Sequence, residues 1–185
     1  EVMSEIEIAM RAAPQARIVA ITGTNGKSTT TALIGHCLAA AGMPVAVGGN
    51  IGEAACALTD SGPGGVIVLE LSSYQLETTP SLRADIAILL NITPDHLARH
   101  GGMDGYVAAK ARILDAVPTG GLAVFASDEA PVSTLARAFA AAGGSAVTVS
   151  ATDAPAAVRD VAALAGPHNA VNAAAATACF PLSLG

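Results

Sequence analysis

Lys27, preceded by Gly23, Thr24, Asn25 and Gly26 and followed by Ser28, Thr29 and Thr30, is the run in this sequence best suited to handling a phosphate. An ammonium beside several hydroxyls offers charge and polar contacts, and the two glycines let backbone amides turn toward an anion. Ahead of the run stands an apolar, β-branched segment containing Ile18, Val19 and Ile21. Behind it, Leu33, Ile34, Cys37, Leu38 and Ala41 recur at helical spacing until Gly42. Strand, loop and helix in that order surround the loop with unpaired N–H groups and the positive end of a helix dipole. The longer phosphate loop, G-x-x-x-x-G-K-[ST], has a glycine where this chain carries Ile21, so the pattern present is the shorter G-T-N-G-K-S. A turn that merely joins strand to helix is the competing use of these residues, but G-K-S-T at such a junction favours phosphate.

Other polar side chains stand where an α/β sheet would bring them to the same loop. Glu70 ends the apolar run Val66 to Leu71. An unpaired carboxylate is costly to bury in a central strand, so Glu70 should meet a cation or a metal. An edge strand with Glu70 in water is the alternative. The carboxyl ends of strands line the ligand crevice in doubly wound sheets, which puts Glu70 opposite the phosphate loop. His96 follows another apolar run, Asp85 to Leu90. Taken alone it is an ordinary loop histidine; its place past a strand end, with Gly-rich and acidic loops at the same end, favours a ligand. Asn50 lies in G-G-N-I-G, where Gly48 and Gly49 let the backbone pass close to a ligand. Ser72 opens a polar loop that runs to Glu77. Lys110 belongs to an amphipathic helix, Met103 to Ala116, with Tyr106, Val107, Ile113 and Leu114 as apolar members; on its residues alone it takes the solvated face.

Several elements must position these groups. Glu1 to Ala13 has helical spacing and Pro14 closes it. Strands are expected at Pro44 to Val47, Leu122 to Ala126 and Ala146 to Val149 besides those above, with one or two helical turns over residues 53 to 60 and the loop S-G-P-G-G after them. A helix from Pro131 to Ala142 has Ser127 and Asp128 as its N-cap, and an alanine-rich helix runs from G-P-H-N, Gly166 to Asn169, to Cys179. Residues 155 to 164 fit either a short helix or none. Strands alternating with helices predict right-handed βαβ units. The fold class is α/β, a mostly parallel sheet flanked by helices on both faces, a P-loop-like mononucleotide-binding domain.

The 185 residues suffice for one sizeable core, built heavily from alanine. No apolar run approaches the roughly eighteen residues of a membrane span, and the first residues lack a signal-peptide pattern, so a cytoplasmic domain away from the membrane is expected. Net charge of −6 with nine basic residues and no Trp argues against a nucleic-acid partner. Cys37, Cys56 and Cys179, odd in number and set among apolar residues, read as core thiols.

G-T-N-G-K-S-T, G-G-N-I-G, E-L-S-S-Y-Q-L-E, N-I-T-P-D-H-L-A-R-H, Y-V-A-A-K-A-R-I and G-P-H-N-A-V-N-A together resemble the Mur ligases, ATP-dependent enzymes that attach amino acids to peptidoglycan precursors. The resemblance runs from about residue 17 to 176 and is strongest with the branch that adds D-glutamate to UDP-N-acetylmuramoyl-L-alanine. Branches that add other amino acids, and folylpolyglutamate synthases, share the phosphate loop but differ at E-L-S-S-Y-Q-L-E. Two departures stand out: Ala98 where the family has an acidic residue, and a short segment before G-P-H-N where the family has a β-hairpin.

The resemblance implies a three-domain protein of which residues 14 to 185 are the central ATP-binding domain and residues 1 to 13 the tail of the first domain with its linker. It implies ATP and Mg2+ as cofactors, a UDP-sugar peptide precursor and D-glutamate as partners, an acyl-phosphate intermediate, a monomer, and an isolated fragment that binds nucleotide without ligating. Gly23, Thr24, Asn25, Gly26, Lys27, Ser28, Thr29 and Thr30 would wrap the phosphates, and Lys27 would reach the β and γ groups. Ser28 and Glu70 would hold a first Mg2+, with His96 and Lys110, the latter as a carbamate, near a second. Asn50 and Ser72 would border the substrate, and Asn169 the adenine, with His168 structural. A lysine near metals makes sense once it carries an anionic oxygen donor, which replaces the solvated-face reading of Lys110.

Overall fold

The computed structural model describes residues 2–12, 16–58, 64–127, 129–159 and 161–180. Its centre is a six-stranded sheet in the order β2-β3-β1-β4-β5-β6, parallel throughout. The strands are β1 (Arg17–Thr22), β2 (Val45–Gly49), β3 (Val66–Glu70), β4 (Ile86–Leu89), β5 (Leu122–Phe125) and β6 (Ser145–Thr148). The helices are α1 (Glu5–Ala12), α2 (Lys27–Ala40), α3 (Ser73–Glu77), α4 (Leu97–His100), α5 (Met103–Asp115), α6 (Val132–Ala141), α7 (Ala156–Arg159) and α8 (Pro167–Thr177).

Period-two alternation sends side chains to both faces of the sheet. Ile18 and Ala20 of β1 join one apolar layer with Ile6 and Met10 of α1, Leu76 of α3, and Tyr106 and Ile113 of α5. Val19 and Ile21 join the other, with Ile34 and Leu38 of α2 and Ala174, Ala175 and Ala176 of α8. Small side chains let α8 lie close against α2. The chain leaves β1 toward α2 and leaves β4 toward α5, on opposite faces of adjacent strands. A crevice therefore opens between them at the carboxyl ends.

The expected strands and main helices form, with some corrections. Ser72 to Glu77 is not a loop: Ser72 and Gln75 form a reciprocal capping box, and α3 follows. α2 begins at Lys27 with Gly26 as its N-cap, one residue ahead of Ser28. At α6 the N-cap is Pro131, and Ser127 instead accepts a bond from the Glu129 N–H, 3.2 Å. Asp128, Pro14 and the centre of the S-G-P-G-G loop lie outside the described residues. The turns expected over 53 to 60 reduce, among the described residues, to a 3-10 turn, Ala55–Ala57. Among the described residues no strand lies between Val149 and Gly166, and no helix is long and apolar enough to cross a membrane.

Candidate functional site

Gly26 adopts φ 84°, left-handed backbone that favours glycine, and the position a Cβ would take is filled by the Asn172 carboxamide. Any other residue there would collide and strain the turn into α2. Among the described residues no side chain caps α2, so the amides of its first turn are open to an anion. Lys27 folds back over the loop, its Nζ donating to the carbonyls of Gly23 (3.1 Å) and Thr24 (3.0 Å).

Glu70 closes β3 in the middle of the sheet, between β2 and β1, and is 2% exposed, which rules out the edge-strand alternative. Its carboxylate is satisfied from the first turn of α2 and from the loop after β2: Ser28 Oγ donates to Oε2 at 2.8 Å and Asn50 Nδ2 donates to Oε1 at 3.1 Å. The glycines before Asn50 serve packing rather than ligand approach, since Cβ atoms there would meet the Glu53 carbonyl at Gly48 and the Glu70 carbonyl at Gly49.

Lys110 is buried, unlike the solvated place its residues alone suggest and in keeping with the inward place the resemblance implies: α5 packs that side onto the sheet because Tyr106 and Ile113 flank it in the core. Its Nζ donates to the Gly23 carbonyl at 2.8 Å and stands 4.8 Å from the centre of the Tyr106 ring. Burial pulls its pKa down to about 7. The Lys27 charge adds to that, and Asp95 and Glu70 partly oppose it. Lys27, Lys110 and Gly23, and through Ser28 also Glu70 and Asn50, thus gather at the carboxyl ends of β1 and β3.

The structure leaves the other predicted residues outside that cluster. His96, at φ 50° and with its side chain half exposed, pairs with Asp95 (Nε2 to Oδ2, 3.4 Å) and stacks edge-on with Tyr74 at 5.5 Å, without a bond to Ser28, Glu70 or Lys110. Ser72 spends its hydroxyl on the capping box with Gln75. Thr24 spends its own on Thr93 and Tyr106. Thr30 is fully buried, with its hydroxyl unpaired among the described residues, and does not line the cleft described next.

Beside the phosphate loop lies a cleft of about 620 Å3, walled by Asn25, Gly26 and Thr29 on one side, Ala126, Val149 and Ser150 past β5 and β6, and His168, Asn169 and Asn172 at the start of α8. Asn169 therefore lines a cleft beside the Gly-rich loop. His168, read as structural, is exposed and lines the same cleft. Asn172 was missed. It is 5% exposed, donates from Nδ2 to Asn169 Oδ1 at 3.3 Å and touches the phosphate loop. Its signal was present, for two asparagines three apart on one helix share a face. Asn91 and Tyr106 were also missed as site residues, and nothing in their local pattern separates them from ordinary loop and core positions.

A hard-oxygen donor pair, the Ser28 hydroxyl and the Glu70 carboxylate 2.8 Å apart, suits Mg2+. Among the described residues no three His, Cys, Asp or Glu side chains converge. Such an ion would complete its shell with water and phosphate oxygens, as Mg2+ commonly does.

The family model for the Mur ligase middle domain matches residues 21–162. The chain is 57% identical over 127 residues to the UDP-N-acetylmuramoylalanine--D-glutamate ligase of Paramagnetospirillum magneticum, covering 69% of this chain and 28% of that protein. To the ligase of the same name from Rhodospirillum rubrum it is 49% identical over 197 residues, covering 94% of this chain and 41% of that protein. That alignment is longer than the chain, so this relative carries segments that the chain lacks. The chain spans less than half the length of either. A solved structure of the MurF ligase from Thermotoga maritima in complex with ADP superposes with TM-score 0.60 at 19% identity, covering 78% of this chain and 35% of that one, a likeness of fold. The match of the middle-domain model over most of its length, together with relatives this similar, shows that the chain belongs to the Mur ligase family.

Proposed function

We propose that the chain is the central ATP-binding domain of a ligase that joins D-glutamate to UDP-N-acetylmuramoyl-L-alanine during peptidoglycan precursor synthesis. The observation that carries the reading is the meeting of Ser28 and Glu70 at 2.8 Å beside a phosphate loop, in a chain whose relatives at 49–57% identity bear that ligase's name. Phosphoryl transfer asks the protein mainly for positioning and charge neutralisation. Backbone amides from Gly26 into the first turn of α2 hold the β and γ phosphates, and Lys27 supplies positive charge there. Ser28 and Glu70 would hold Mg2+, which would offset the charge of the phosphate oxygens. Asn169 and Asn172 face the cleft where the nucleoside lies.

The L-alanine carboxylate of the precursor attacks the γ phosphorus, giving an acyl phosphate and ADP, and the D-glutamate amine then displaces phosphate, with loss of a proton, to form the amide. α1 packs into this domain's own core through Ile6 and Met10, so the segment ahead of β1 would lead in from a preceding domain while belonging structurally to this one, and the domains outside this chain would supply the remaining contacts to both substrates. Lys110, with a pKa near 7, is partly neutral at physiological pH. A neutral amine can attack CO2, forming an N–C bond and releasing one proton, so its burial prepares it for carbamylation. His96, its side chain half exposed beside Asp95, would serve a second ion.

The test is D-glutamate-dependent ADP release by the full-length protein. Lys27→Ala and Glu70→Gln each abolish it on this reading, and activity retained in either variant overturns the reading. Comparing amino acids in the same assay checks the substrate: ADP release driven by another amino acid and not by D-glutamate refutes the assigned branch.

A further inference from the structure

The loop that would bind phosphate has almost no secondary structure of its own, yet its first half is bonded on every side. Asn25 donates its N–H to Asn91 Oδ1 at 2.9 Å, and Asn91 Nδ2 donates back to the Asn25 carbonyl at 2.9 Å. The Thr24 N–H donates to the Asn91 carbonyl at 2.8 Å. Thr24 Oγ1 accepts from the Thr93 N–H at 3.0 Å and lies 3.1 Å from the Thr93 carbonyl and 3.2 Å from the Tyr106 hydroxyl. Tyr106 is itself fixed, buried in the core with its ring 5.4 Å from that of His100. The carboxamide of Asn91 fits in one orientation only, its oxygen toward an N–H and its nitrogen toward a carbonyl.

We propose that Asn91 is a positioning residue that holds the phosphate loop in its anion-binding shape, with Tyr106 as a second anchor through Thr24. The inference rests on the nucleotide-binding reading above and narrows it. The amides of Thr24 and Asn25 are spent on the Asn91 clasp, so the anion is left with amides from Gly26 onward. Amides bind an anion well only if they point at it beforehand, since ordering them on binding subtracts from affinity. The long phosphate loop wraps its ligand with more residues; here a short loop is braced from the neighbouring strand end instead.

Calorimetric titration of the full-length protein with Mg-ATP tests this, together with backbone hydrogen exchange at residues 23–26 and thermal melting without nucleotide. In Asn91→Ala the Asn25 amide exchanges faster and the Kd for Mg-ATP rises roughly thirtyfold, while melting stays cooperative. Tyr106→Phe keeps the ring and loses the hydroxyl, and its Kd rises roughly threefold to tenfold. Faster exchange with unchanged affinity overturns the proposal, as does unchanged exchange. Should Asn91→Ala not fold, wild-type affinity in Tyr106→Phe overturns it. A wild-type protein that binds no Mg-ATP defeats the functional reading itself, and the proposal with it, whereas wild-type binding matched by the variants defeats the proposal alone.

Discussion

Lys110 is an ammonium that folding takes out of water and sets beside a second ammonium, Lys27, with one carbonyl, that of Gly23, accepting from both. Its pKa falls from 10.5 to about 7, burial being the main cause. Between those values the unfolded chain binds more protons than the folded one, so Lys110 makes stability rise with pH across that window, and its cost is fully present below pH 7. In protein prepared without bicarbonate, urea unfolding at pH 7, 8 and 9 should show wild type gaining stability relative to Lys110→Met at each step. A flat difference would mean that Lys110 titrates alike in both states. Glu70 is the opposite case, a buried carboxylate whose two oxygens are both occupied, by Ser28 and Asn50. Pairing of that kind was legible from one acidic residue in an apolar run. The identity of the partners was not, because they come from a helix start and a loop 42 and 20 positions away.

At the scale of elements, α1 is held by polar bonds as well as by its apolar face. Glu7, fully buried, accepts from the Ser81 N–H (2.9 Å), the Ser81 hydroxyl (2.7 Å) and Arg11 Nε (2.7 Å). Burial pushes its carboxyl up, but the bonds from Ser81 and the bond and charge of Arg11 outweigh it, and the pKa lies below the usual 4.5. Its stabilisation is therefore present above pH 4.5 and is lost as pH falls through the lowered folded value. Glu7→Gln should cost about 1–3 kcal/mol at pH 7, with the gap to wild type closing in acid; a gap independent of pH would refute the assignment. Gln75 links this helix to the site side, donating to Glu5 at 3.2 Å while its carbonyl oxygen serves the Ser72 cap. That capping box, S-x-x-Q, was visible in the sequence, but the hydroxyl-rich composition of Ser72 to Glu77 favours a loop unless Leu76 finds the core, as it does.

Over the whole molecule, the candidate nucleotide cleft is assembled from chain ends far apart in sequence: the loop after β1, the ends of β5 and β6, and the start of α8. A ligand bound there bridges all of them and should stabilise the fold as a unit. Mg-ATP at about a hundredfold excess over its Kd should add about 2.7 kcal/mol to the full-length protein, read as a raised melting temperature, and Lys27→Ala should lose most of that gain. An equal shift in both proteins would place the nucleotide elsewhere. By itself the sequence determined the strands, the main helices, the Gly-rich turn between β1 and α2 and the parallel α/β class, since each depends on periodicity and turn residues within a dozen positions. Only the tertiary structure decided that Lys110 is buried, that Glu70 meets Ser28 and Asn50, that Thr24 faces Thr93 and Tyr106, and that Asn91 clasps Asn25. Those outcomes depend on which strand lies beside which. The order β3-β1-β4 sets the loops after three strands against one another, and no local pattern records that neighbourhood.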